Sequence, residues 1–358
     1  MRTRISEIDL LRFLAALAVM LMHYLLRGFA ADNNLSPIHF SHLGPLTRYN
    51  YLAVNLFFII SGFMILMSVF TKEKSPVNIQ NVIRPKQFIL SRFIRLFPAY
   101  WFCCTLTFLV VYFLWNDVFH LSVGRYLINM TMLNGFFFVG NIDGVYWTLC
   151  LELKFYLFML FLLYVKHINY IERYLVGWTL ISVLDFWLEN PVLKYIFITD
   201  FAPFFISGCL FFLIYKHGLN WKRTLLLALN FYLGYLYECE RLKEKTTHYL
   251  SLDFSNVTAL CILASFYLAF ICIISLKNTD KPYDVLFTYL GRLSYPLYLV
   301  HLRLGLVIFN LLDTYVNKYL LVLLTCLLMI FLAHLINTFI EKPMSKYLKN
   351  KFNHWAAS

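Results

Sequence analysis

The feature that most constrains this chain is a series of long apolar blocks joined by short connectors. A helix that crosses a membrane needs about 20 consecutive apolar residues. Ten blocks approach that length, at 8–27, 51–70, 94–114, 145–165, 174–188, 197–215, 223–238, 254–276, 286–311 and 318–340. They predict an all-α, polytopic transmembrane helical bundle. The fifth and seventh blocks are short. The segment 125–140 is too broken to span and reads as re-entrant or interfacial. The whole of 1–358 reads as a single integral-membrane domain, with 344–358 a short basic cytoplasmic tail.

Composition agrees. The chain is 61% apolar and 14% charged, against about 45–50% and about 25% in an average soluble domain. Folded in water, such a chain would expose apolar patches that soluble monomers avoid. The net charge of +12 does not point to nucleic acid, because the basic residues sit at the ends of apolar runs, as membrane topology requires. With both termini cytoplasmic, the inner connectors hold more lysines and arginines than the outer ones, among them Arg2, Arg4, Lys72, Lys74, Arg84, Lys86 and Arg92. Glu238, Glu240 and Glu244, beside Arg241, Lys243 and Lys245, make 238–250 read as a solvated outer loop. The first block is no signal peptide, since its core carries Asp9, Arg12 and His23. Eight cysteines fall mostly inside apolar runs and show no zinc spacing, so they read as buried thiols.

Charged side chains inside spans carry the functional signal. An ionised residue at mid-membrane costs roughly 2.5–3.5 kcal/mol on insertion scales, so each must be paired, interfacial or beside a polar cavity. Arg12 and His23 lie eleven positions apart, which at 100° per residue returns them to one helix face, about 16 Å apart along the axis. Asp9 stands at i, i+3 from Arg12 and suits a salt bridge. His23 can serve as a general base or simply bond a neighbouring carbonyl. Arg84, Lys86, Arg92 and Arg95 gather at the entry to the third span, where they suit either topology or a phosphate cradle. In the fourth span Glu152 and Tyr156 share a face and Lys154 points away. Glu152 suits an ion pair with an intramembrane arginine, or a catalytic or acceptor-positioning role. The ninth span carries Arg292, His301 and Arg303 around a kink at Pro296. Asp185 and His334 read as structural polar groups. No P-loop, dinucleotide fingerprint or metal-ligand run is present.

The ordered motifs IDLLRFLAALAVMLMHY, YLAVNLFFIISGFMI, SRFIRLFPAYW, WTLCLELKFYL, LGRLSYPLYLVH and FIEKP resemble those of acyltransferase family 3, the integral-membrane acyltransferases that modify bacterial surface carbohydrates. They run from residue 9 to residue 343. The resemblance implies that His23 is the catalytic histidine, that Arg12, Arg92 and Arg95 hold the acyl donor, and that Glu152 matches the family's fourth-span glutamate. Lys154 departs from the family pattern. Asp9, Tyr156, Arg292, His301 and Arg303 are supporting candidates. The implied donor is an acyl-CoA, most simply acetyl-CoA, used as co-substrate with no bound cofactor and no metal. The implied acceptor is a hydroxyl of a surface or lipid-linked carbohydrate. The implied location is the bacterial cytoplasmic (inner) membrane. Some members carry an outer esterase-like domain that completes transfer. This chain shows none, so it is expected to complete transfer itself or to use a separate outer-side protein. The rival readings are a membrane transporter of a sugar or acyl-linked intermediate, since intramembrane charges also mark transport paths, and an acyltransferase for a non-carbohydrate acceptor.

Overall fold

A computed structural model describes residues 5–27, 35–38, 40–43, 47–70, 82–248, 254–276 and 281–357. Arg2, Arg4, Lys72 and Lys74 of the charge argument lie outside the described residues. Among the described residues, eleven helices longer than ten residues carry the fold: α1 (Ser6–Met22), α2 (Ala53–Val69), α3 (Pro85–Leu114), α4 (Trp147–Tyr164), α5 (Ile171–Leu188), α6 (Ala202–His217), α7 (Trp221–His248), α8 (Asn256–Ser275), α9 (Asp284–Leu312), α10 (Lys318–Ile336) and α11 (Lys342–Ala357). Short helical turns link them, and no strand occurs among the described residues. Among the described residues, eight helical stretches are long and apolar enough to cross a membrane. They correspond to α1, α2, α3, α4, α6, α8, α9 and α10. The two long helices outside that set, α5 and α7, match the two short apolar blocks. α3 opens on Pro85, well before residue 94, because proline suits a first helical position whose N–H has no intrahelical partner.

The chain folds as two compact units, interleaved in sequence. The first comprises residues 54–90 and 151–279. Its α6 is buried from Ala202 to Leu213 on every side, as expected of a helix that is apolar all round. Two glycines let α2 and α6 meet backbone to backbone. A Cβ on Gly208 would stand 2.0 Å from the Ile59 carbonyl oxygen, and one on Gly62 would stand 2.2 Å from that of Phe205. Such small-residue crossings are the usual way for membrane helices to approach closely. Asp185 is structural, as expected: one carboxylate oxygen accepts from the Asn190 backbone N–H at 2.9 Å and the other from the Thr199 hydroxyl.

The same unit corrects one sequence expectation. Residues 238–248 are not a solvated loop, because α7 continues through them to His248. Glu238 is fully buried. Its Oε1 accepts from the Asn55 amide at 2.7 Å and pairs with the Arg241 guanidinium at 2.9 Å. The cost of burying this carboxylate is thus offset by a cation one helical turn away and an amide from α2.

The second unit comprises residues 2–53, 91–150 and 280–358. Its centre is the pair α1 and α9. Gly291 faces Asp9, where an added Cβ would come within 2.4 Å of the aspartate Cβ. Gly305 faces Tyr24, whose hydroxyl would lie 2.3 Å from such a Cβ. Tyr24 donates to the His301 carbonyl at 2.6 Å, and Tyr146 donates to the Leu299 carbonyl at 3.2 Å. The segment 125–140 does not span. It forms a short helix, Val123–Met130, capped by Ser122. Arg125 and Asn129 then bind the Gly140 carbonyl at 3.0 Å each.

Candidate active site

α1 is regular α-helix up to Met22, and His23 at its C-cap keeps right-handed helical angles, φ −64° and ψ −35°. A π-helical turn, His23–Arg27, follows immediately. Such bulges recur at functional sites. They widen the helix at the position where His23 and Tyr24 face α9. His23 is 2% exposed and His301 is 0% exposed. Their rings lie 5.3 Å apart, centroid to centroid, at 45°.

The hydrogen bonds of His301 define its tautomer. Nδ1 lies 2.9 Å from the Tyr298 carbonyl oxygen and 3.2 Å from that of Leu297. Carbonyl oxygens only accept, so Nδ1 carries a hydrogen, which in the neutral ring leaves the lone pair on Nε2. That Nε2 is buried and has no hydrogen-bond partner among the described residues. The structure thus brings His301, read from sequence as a supporting residue, against His23.

Arg12 and Asp9 form the predicted i, i+3 pair at 3.4 Å. Asp9 abuts Gly291, so Arg12 and the neighbouring Arg292 occupy the same level of the α1–α9 pair. Arg292 is half-buried and has neither an ion pair nor a hydrogen-bonded side chain among the described residues. Arg95 pairs with Glu341 at 2.7 Å, and its guanidinium lies 5.7 Å from the centroid of the Tyr295 ring. Arg92 donates from Nε to Ser91 at 3.1 Å. Sequence reasoning missed Glu341 as the partner of Arg95. The signal was the glutamate of the FIEKP element, 246 residues downstream.

Arg303 is held differently. Its backbone N–H donates at 3.0 Å to Asp143, a fully buried carboxylate, and its guanidinium lies 3.2 Å from the centroid of the Phe119 ring. Asp143 also accepts from the Val145 N–H at 3.1 Å and caps the turn that leads into α4. It too went unnoticed in the sequence, being one aspartate in a short connector.

Glu152 and Tyr156 lie in the first unit and do share a face: the Tyr156 hydroxyl donates to Glu152 Oε1, as does that of Ser61 at 3.0 Å. Glu152 pairs with no arginine among the described residues, so the ion-pair reading is replaced by two hydroxyl donors. Lys154 points away, as expected, and donates to the Tyr195 carbonyl at 2.6 Å.

Eight helical stretches long and apolar enough to cross a membrane among the described residues define a multi-pass membrane protein, and its second unit buries two histidines against each other. A family profile described as an acyltransferase domain matches residues 5–340, nearly the entire chain, and the protein belongs to that acyltransferase family. It is 25% identical over 298 residues to a protein named "Putative acetyltransferase ORF330" from Acidianus two-tailed virus, covering 77% of this chain and 81% of the relative. No solved structure matches the chain. Family membership sets the transporter reading aside.

Proposed function

We propose that this membrane acyltransferase moves an acyl group, most simply acetyl from acetyl-CoA, onto a hydroxyl of a surface or lipid-linked carbohydrate. The observation that carries this reading is the buried His23–His301 pair. A histidine sheltered from water beside a second, tautomer-fixed histidine is suited to take a proton from a neutral hydroxyl.

The chemistry balances without any other group. His23 accepts the proton of the acceptor hydroxyl as its oxygen attacks the thioester carbonyl carbon. The C–S bond breaks, its electron pair leaves on sulfur, and the imidazolium returns the proton to the thiolate. His301 supports His23 by packing against it. Arg12, Arg92, Arg95 and Arg292 orient the donor, whose phosphates suit guanidinium forks. With both termini cytoplasmic, the Arg12 end of α1 faces the donor's compartment and His23 lies about three helical turns deeper. Glu152, carrying two hydroxyl donors, is suited to positioning groups within its own unit.

The test is reconstitution in liposomes with labelled acetyl-CoA, together with mass spectrometry of surface glycans from cells with and without the protein. Label transfer and a glycan mass increase of one acetyl group are expected. Label consumption with an unchanged glycan profile would redirect the acceptor to a non-carbohydrate molecule.

A further inference from the structure

The first unit carries a cavity that the acyl-transfer reading does not use. It lies between α4 and α5, near the turn that joins them, and has a volume of about 770 Å³, within the range of small-molecule sites. Its walls are aromatic: Phe158 and Phe161 from α4, Trp178 from α5, and Phe197 from the short helix Pro191–Phe197. The Trp178 indole is fixed, because its N–H donates to the Phe197 carbonyl at 2.7 Å and its ring lies 4.9 Å from that of Phe158. At Gly177 a Cβ would meet nothing within 4 Å.

The flanking side chains Leu157, Phe161, Val176 and Leu180 are all exposed and apolar. Exposed apolar side chains of this kind suit contact with lipid, and they border the groove on both helices. Its rim beside the turn is polar and cationic. Arg173 lies with its guanidinium 5.0 Å from the Tyr170 ring centroid. His167 shares a 2.6 Å hydrogen bond with the Tyr174 hydroxyl through Nδ1. The nearest carboxylate in sequence, Glu172, is taken by Arg223 at 2.6 Å, and Arg173 forms no ion pair among the described residues.

We propose that this groove binds an anionic phospholipid of the host bilayer, with one acyl chain along the aromatic wall and the phosphate on Arg173 and His167. An apolar trough ending at an uncompensated cation complements a chain that ends in an anion. The site is independent of the acyl-transfer reading.

The experiment uses the full-length protein in liposomes doped with phosphatidylglycerol or phosphatidylcholine carrying a mid-chain diazirine, with cross-linked peptides mapped by mass spectrometry. Cross-links concentrated on residues 158–181 and favouring the anionic lipid are expected. Arg173→Gln should cut labelling by phosphatidylglycerol about fivefold, the factor for one interfacial cation, and leave phosphatidylcholine labelling unchanged. Gly177→Leu, which fills open space and keeps the helix, should reduce labelling by both lipids, with folding checked by thermal unfolding. Labelling spread evenly over the exposed helices, or unchanged in both variants, would overturn the proposal. So would exclusive labelling by a polyprenyl-phosphate probe, which would make the groove a carrier-lipid site.

Discussion

The His301 ring, whose buried Nε2 has no hydrogen-bond partner among the described residues, stands 5.3 Å from the His23 ring. The Tyr298 and Leu297 carbonyls hold the His301 ring through Nδ1. The Tyr24 hydroxyl, adjacent in sequence to His23, bonds the His301 carbonyl and sets the register of the two helices.

His301→Gln tests the supporting role. Glutamine keeps a polar group and the Tyr24 bond, which uses the backbone carbonyl, but loses the fixed ring. Acyl transfer should fall about 2- to 10-fold, the scale of one hydrogen bond or packing contact. Assay of acetyl transfer per membrane-inserted protein checks it. A loss as large as that of a His23 variant would make His301 the base.

Arg95 and Glu341 allow donor binding to be separated from folding. Arg95→Ala leaves Glu341, whose side chain is 8% exposed, without its cation. That penalty lowers expression through stability. In the double variant Arg95→Ala, Glu341→Gln the penalty should largely vanish, while acyl-CoA affinity stays about 10- to 150-fold weak, as for loss of a charged hydrogen bond. Equilibrium binding of labelled acyl-CoA to detergent-purified protein decides the point. Full recovery of affinity in the double variant would leave Arg95 a purely structural cation.

The α2–α6 crossing makes a sharper structural prediction. Gly208→Ala places a methyl 2.0 Å from the Ile59 carbonyl oxygen, against backbone rather than a movable side chain. The helices must separate, at about 1–3 kcal/mol or more. Thermal unfolding should shift down and membrane expression should drop. Gly177→Ala, in open space, should be neutral or stabilising by helix propensity.

Short-range relationships were legible from sequence because helix geometry encodes them. Asp9–Arg12 and Glu152–Tyr156 follow from spacings of three and four. The apolar blocks likewise gave the helices, with α5 and α7 answering to the two short blocks. Long-range partners have no such code. His23 with His301, Arg95 with Glu341 and Asn55 with Glu238 are joined only by the fold. Glu238 was misread because charge density near 238–244 resembles a solvated loop. A buried glutamate has the same letter as an exposed one, and its asparagine partner lies 183 residues away.

The central claim is that His23 takes the acceptor's proton, and one measurement tests it most directly. His23→Ala and His23→Gln are compared with the unmodified protein for acetyl transfer to cell-surface glycan, by mass spectrometry normalised to membrane protein level. Acyl-CoA binding is measured in parallel. Both variants should lose transfer by about 100-fold or more, since glutamine can hydrogen-bond but cannot accept the proton. Both should keep donor binding, because Arg12 lies about three helical turns from His23 along α1. Near-normal glycan acetylation in His23→Ala would contradict the account.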